Sequence, residues 1–254
     1  MKRLVLAVLA GTLMCAAAAS RVLAADLPPS APTPPPRAPA AYVPAVVAQV
    51  YNWGGFYFGA NVGYGFGTSN WTDPNNHSGL GSTGDFSLSG FVVGPTIGVN
   101  FQTDAFVYGV EADFDGSWIK GGSSSAFCGA NVGFPGGQCD TKSFFISTGR
   151  ARFGYAADRV LFYGTGGAAL GDVSPGINNS FQRQTKFGWT AGAGIEAAFT
   201  DSLTARIEYL FVDLGSATCN TTLNCGVDTG STVPNDTVKF SSSIIRLGVD
   251  YKLR

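Results

Sequence analysis

Charge is scarce in this chain of 254 residues. Asp, Glu, Lys and Arg together make up 13% of it, about half the share of a soluble globular domain. Lys and Arg number 16 against 17 Asp and Glu, with no basic cluster, which excludes a nucleic-acid-binding surface. The single histidine, His77, sits in a polar stretch beside Pro74 and Asn76. A Ser-His pair would have to use it, and no acid or nucleophile is arranged around it, so no enzyme, cofactor or metal is expected. Beyond the N-terminal segment, no apolar run is long enough for a membrane helix of ~20 residues. What is abundant is apolar side chains, at 45%, and glycine, at 35 residues. Low charge with this apolar content excludes a disordered chain. Glycines without a G-X-Y period exclude collagen, and their number excludes a coiled coil.

The N-terminus reads as an address. Lys2 and Arg3 precede an uncharged run from Leu4 to Ala19, and Val22 and Ala24 occupy the −3 and −1 positions of a cleavage site. This order of segments predicts a signal peptide over residues 1–24, with Cys15 discarded in it. Eight of the 13 prolines lie between Pro28 and Pro44, so residues 25–50 read as an extended periplasmic linker. An exported apolar chain without a spanning helix is either a secreted β protein or a β-barrel of an outer membrane.

From Tyr51 onward, apolar residues alternate with small or polar ones, the period of β-strands. The first run sets Phe56, Phe58, Ala60, Val62, Tyr64 and Phe66 against Tyr57, Gly59, Asn61, Gly63 and Gly65. Further runs centre on residues 91–101, 106–114, 145–155, 189–199, 203–211 and 245–253. Another, Val160 to Leu170, is mostly small residues and leaves its faces open. Tight turns at residues 103–105, 157–159 and 200–202 alternate with longer segments near 68–85, 118–142, 172–183 and 215–237, rich in Gly, Asn, Ser, Thr and Asp. Short turns at one end and long loops at the other mark an outer-membrane barrel. The predicted fold is all-β: an eight-stranded antiparallel transmembrane β-barrel over 51–254, with short periplasmic turns and four longer extracellular loops. A soluble barrel would need a charged outer face, and the polar face here is mostly glycine.

The polar faces carry Glu111, Asp113, Glu196 and Glu208, and opposite in sign Arg150, Arg152, Arg206 and Arg246. Inside a narrow barrel they should pair, because an isolated buried charge is costly. Two outcomes stand open: a satisfied polar plug, or an ion-conducting constriction. Eight strands leave an interior just wide enough for side chains to fill it, which favours the plug. Glycines on that face make room for the arginines. Pro95, inside a strand, calls for a bulge. An oxidising compartment and short local loops suggest the disulfides Cys128–Cys139 and Cys219–Cys225.

The segments Gly54-Gly55-Phe56-Tyr57-Phe58-Gly59-Ala60-Asn61-Val62-Gly63-Tyr64-Gly65, Gly188-Trp189-Thr190-Ala191-Gly192-Ala193-Gly194-Ile195-Glu196 and Arg206-Ile207-Glu208-Tyr209-Leu210-Phe211-Val212-Asp213-Leu214-Gly215 resemble the small immunogenic, porin-like outer-membrane proteins of alpha-proteobacteria. The resemblance implies a barrel similar to the OmpA membrane domain, located in the outer membrane, with a part in envelope integrity and surface exposure more than in transport. It implies outer-membrane lipid and the barrel-assembly machinery as partners, and lipopolysaccharide or surface ligands as candidates. Such barrels usually end in an aromatic residue; this sequence ends Tyr251-Lys252-Leu253-Arg254. A porin-like channel and an adhesin acting through disulfide-closed loops are the alternative functions.

Overall fold

The computed structural model describes residues 51–73, 80–131, 137–177, 180–219 and 236–253. The expected signal peptide and linker lie outside these. The strands are β1 (Gly55–Thr72), β2 (Ser82–Thr103), β3 (Phe106–Ser117), β4 (Lys120–Ser123), β5 (Cys139–Lys142), β6 (Phe145–Ala157), β7 (Val160–Ile177), β8 (Ser180–Phe181), β9 (Gln184–Ala198), β10 (Leu203–Cys219) and β11 (Asp236–Lys252), with one helix, α1 (Ala126–Asn131). Eight of the strands close a ring. In order, β1, β2, β3, β6, β7, β9, β10 and β11 pair antiparallel with their neighbours, and β11 returns to β1. Closure pairs each of these eight strands on both sides, which a bilayer requires because it offers backbone groups no water.

At one end the connections are tight. Asp104 and Asp158 take positive φ angles of 53° and 52°, a conformation that aspartate tolerates better than most residues. From this end the outer face is apolar. Along β1 the outward residues run from Phe56 through Val62 to Phe66, and along β2 from Phe101 through Ile97 to Phe91, all exposed except the half-buried Val99. About ten residue steps of ~3.3 Å, tilted by ~40°, give a band ~25 Å tall, the height of a membrane-barrel surface. Stacked and edge-on aromatic pairs lie along it, among them Phe101 with Tyr108 and Phe106 with Phe153.

Above the band the strands continue but their polarity reverses. On β1 the outward positions become Thr68, Asn70 and Thr72 while Trp71 turns in, fully buried. On β11, Leu247 and Ile245 point outward and are followed by Ser243, Ser241 and Lys239; inside, Arg246 gives way to Ile244, Phe240 and Val238. Where they are described, the segments expected as long loops are therefore in large part strand. Outward positions there, such as Thr68, Asn70 and Thr72, are polar because the sheet has left the apolar band, and they read as loop when outward apolarity is the strand signal. β3 and β6 stop at this level, and the β4–β5 hairpin takes their place between β2 and β7.

Two local expectations change. No bulge forms at Pro95. Instead, residues 94 and 95 drop out of the pairing with β3, which resumes at Thr96↔Asp113 in unchanged register. The open faces of β7 are now assigned: Leu161 and Tyr163 point in, Phe162 and Leu170 point out.

The reversal predicts a position-dependent cost for an outward charge. Ile97→Arg, mid-band, should destabilise the protein by ~2–4 kcal/mol, whereas Ser241→Arg, above the band, should stay within ~0.5 kcal/mol. Urea unfolding in lipid vesicles measures both; equal losses would contradict the band limits.

Candidate functional site in the ring interior

Strand alternation turns Glu111, Asp113 and Asp115 of β3, Arg150 and Arg152 of β6, Glu196 of β9, Arg206 and Glu208 of β10, and Arg246 and Asp250 of β11 into the ring, and all are buried. Glu111 is the hub. The Arg150 and Arg206 guanidiniums pair with it, Arg246 lies 3.9 Å away, and the Tyr57 hydroxyl donates to it at 2.7 Å. Arg150 also reaches Asp113 at 2.9 Å and Glu208 at 3.1 Å. Arg246 spans Glu208 at 2.6 Å, Asp113 at 3.0 Å and Asp115 at 3.1 Å. Arg152 pairs with Glu196 and lies 3.7 Å from the centre of the Tyr163 ring. Neutral donors complete the carboxylates: Thr148 to Asp113 at 2.9 Å, Asn61 to Asp115 at 2.9 Å, and Thr204 to Glu196 at 2.5 Å.

The eight charged residues expected in the interior are all in this layer, but the expected balance of four against four is not. Asp115 and Asp250 join it, so six carboxyl groups face four guanidiniums. Both follow from alternation alone, since Asp115 shares its strand face with Glu111 and Asp250 shares one with Arg246. Asn61 and a 3.3 Å contact from Arg206 support the two extra acids. Glycines give the large side chains their space. A Cβ at Gly98 would strike the Tyr57 ring, one at Gly194 the Tyr163 ring, and one at Gly248 the Arg206 side chain.

Two apolar layers flank the charges, and the sequence reading missed both. Toward the loop end, Trp71, Leu88, Val92, Ile119, Phe127, Val173 and Leu210, with others, form one buried cluster. The Trp71 indole N–H donates to the Thr141 hydroxyl at 3.1 Å. Cys128 and Cys139 are disulfide-bonded, with 5.6 Å between their Cα atoms, and they belong to this cluster rather than to an exposed loop. Cys219 is also buried there and disulfide-bonded; Cys225 and His77 lie outside the described residues. Toward the turn end, Tyr51, Trp53, Val107, Ala156, Leu161, Tyr163 and Ala198 pack together. Trp53 is fastened there by its indole N–H to the Asp158 carbonyl at 2.9 Å and by its backbone N–H to Gln102 at 2.6 Å. The signal for the upper layer was present in β10 and β11, where Leu210, Val212, Phe240 and Ile244 share faces with Arg206 and Arg246.

Above the band, burial and the nearby Asp73 carboxyl push Asp236 up to about 7. Burial also raises Asp140, with Lys142 pulling the other way.

A closed antiparallel ring, apolar outside at bilayer height and charged within, is the arrangement of a transmembrane β-barrel. The outer membrane protein beta-barrel domain matches residues 38–252. The 31 kDa outer-membrane immunogenic protein of Brucella melitensis is 34% identical over 267 residues, covering 99% of this chain and 100% of that protein. The 22 kDa outer membrane protein of Rhizobium leguminosarum bv. viciae is 35% identical over 172 residues, covering 68% of this chain and 69% of that protein. Among solved structures, Neisserial surface protein A aligns with 17% identity and a TM-score of 0.41, over 78% of this chain and 97% of that one. The chain belongs to the outer membrane protein beta-barrel domain family, and its place is the outer membrane.

Truncating one member of the charge layer leaves its partners buried and uncompensated, a loss of about 3–5 kcal/mol. Glu208→Ala, which strips a partner from both Arg150 and Arg246, should destabilise by that amount in urea unfolding. In an Arg246→Ala background the same change should cost less, because the two residues are coupled. Strictly additive losses would contradict the pairing.

Proposed function

We propose that this is a structural barrel of the outer membrane, closed to ions along its axis, with the tight turns facing the periplasm and the loop end displayed outside. The observation that supports it is the layering of the interior. A desolvated arginine–carboxylate layer lies between two apolar layers, one built around Trp71 and Phe240 and the other around Trp53 and Leu161. An ion on the axis would shed its water twice against apolar side chains and then break buried pairs in between. An eight-stranded ring has no spare width to route it around them. The role that fits is mechanical: a rigid span through the bilayer that carries a polar, strand-built extension beyond it. The word "immunogenic" in the relatives' names suits a loop end at the cell surface. No catalytic step belongs to this reading. Outer-membrane lipid and the barrel-assembly machinery are its partners.

Single-channel recording in a planar bilayer tests it, with insertion established independently by a heat-dependent gel shift. Inserted protein should be electrically silent. Steady, ion-selective steps would instead make the arginine–carboxylate layer a filter and the protein a porin-like channel.

A further inference from the structure

Just above the apolar band, three cations gather on one side of the outer surface. The β4–β5 ladder sets Lys120 directly opposite Lys142. Both point outward, since their neighbours Ile119 and Thr141 are fully buried within. Like charges facing each other across a ladder destabilise it, and among the described residues neither ammonium has a carboxylate at ion-pair distance. The Lys142 ammonium lies 3.6 Å from the centre of the Phe181 ring. Arg183 lies beside them, its guanidinium 4.4 Å from the centre of the Phe144 ring and 3.4 Å from Asp172. Asp140, two residues from Lys142 on β5, is the acid nearest in sequence.

Register fixes the height of this patch. Lys120 pairs with Ser89, one outward step beyond Phe91, where the band ends on β2. Trp118 and Phe144, 59% and 47% exposed, lie at the joints where β3 passes to β4 and β5 to β6. The cations thus stand at headgroup level, with aromatic rings at the interface beside them.

We infer that Lys120, Lys142 and Arg183 bind the phosphorylated headgroup of an outer-leaflet glycolipid, whose acyl chains lie against Trp118 and Phe144. A phosphate between the two facing ammoniums replaces their repulsion with attraction. The exposed rings select a lipid over a free anion, because only a lipid has chains to cover them. This inference rests on the orientation proposed above, with the loop end outside.

The test is native mass spectrometry of the protein in non-ionic detergent, titrated with bis-phosphorylated lipid A and with its dephosphorylated counterpart. At about a fivefold effect per lysine near a charged lipid surface, Lys120→Gln with Lys142→Gln should weaken lipid A binding about twenty-five-fold. Lys120→Arg with Lys142→Arg should retain it, and Lys239→Gln, on β11, should leave it unchanged. Unchanged binding by the double glutamine variant would overturn the site. So would equal binding of the dephosphorylated lipid, and inorganic phosphate competing as well as lipid A would reduce it to a free-anion site. If the double variant lacks the heat-dependent gel shift of a folded barrel, Lys120→Gln alone carries the test, with a fivefold loss expected. Orientation is read separately, by labelling Thr72→Cys, above the band on β1 and away from the patch, in intact cells with a membrane-impermeant maleimide. Failure there overturns the orientation and leaves the detergent result standing.

Discussion

A strand cannot change which of its residues point inward without a bulge, yet these strands pass from hydrocarbon into water. That constraint organises the molecule. In the apolar band the outward residues must be apolar, and the inward ones are free to be charged. Above the band water surrounds the sheet, so the outward residues become Thr, Ser, Asn and Lys, and burial inside is satisfied by Trp71, Leu88, Phe240 and Val238. The alternation of β1 and β11 runs unbroken through the change. The lower part of the ring follows the rules of a membrane barrel, and the upper part those of a water-soluble one with a hydrophobic core.

The interior layers depend on each other. An arginine buried alone in a lumen of this width would cost several kcal/mol, so each guanidinium is held by more than one carboxylate or by an aromatic face, as Arg152 is by Tyr163. Such a network retains its strength only while water is kept away, because screening by water weakens each pair. The apolar layers above and below supply that exclusion. In turn, glycines at positions such as 98, 194 and 248 let tyrosine and arginine side chains lie flat against the wall. The high glycine content and the low charge are two consequences of one packing problem.

Much of this was legible from sequence. Eight alternating runs, the tight turns and the faces of nearly every strand could be read because a bilayer enforces apolarity on one face. The eight residues of the expected charge layer could be read for the same reason. The polarity reversal is not legible from outward apolarity: residues 238–243 fall between the expected loop 215–237 and the expected strand run 245–253, and only their inward Val238 and Phe240 mark them as strand. Asp115 and Asp250 lie on the same strand faces as Glu111 and Arg246, so alternation places them in the layer too. A proline inside a strand lacks a ladder donor and usually forces a bulge; at Pro95 the ladder instead loses pairing at two residues and keeps its register. Tyr51 and Trp53 precede the first strand, and no periodicity could show that they turn in to seal its end.

The most direct test of the reversal is a spin-label scan of outward positions along β11, from Val249 through Leu247, Ile245, Ser243 and Ser241 to Lys239, in lipid vesicles. Collision with dissolved oxygen should dominate up to Ile245 and collision with a water-soluble nickel relaxant from Ser243 onward, with one crossover between them. Oxygen contact persisting to Lys239, or the nickel reagent reaching Leu247, would contradict it.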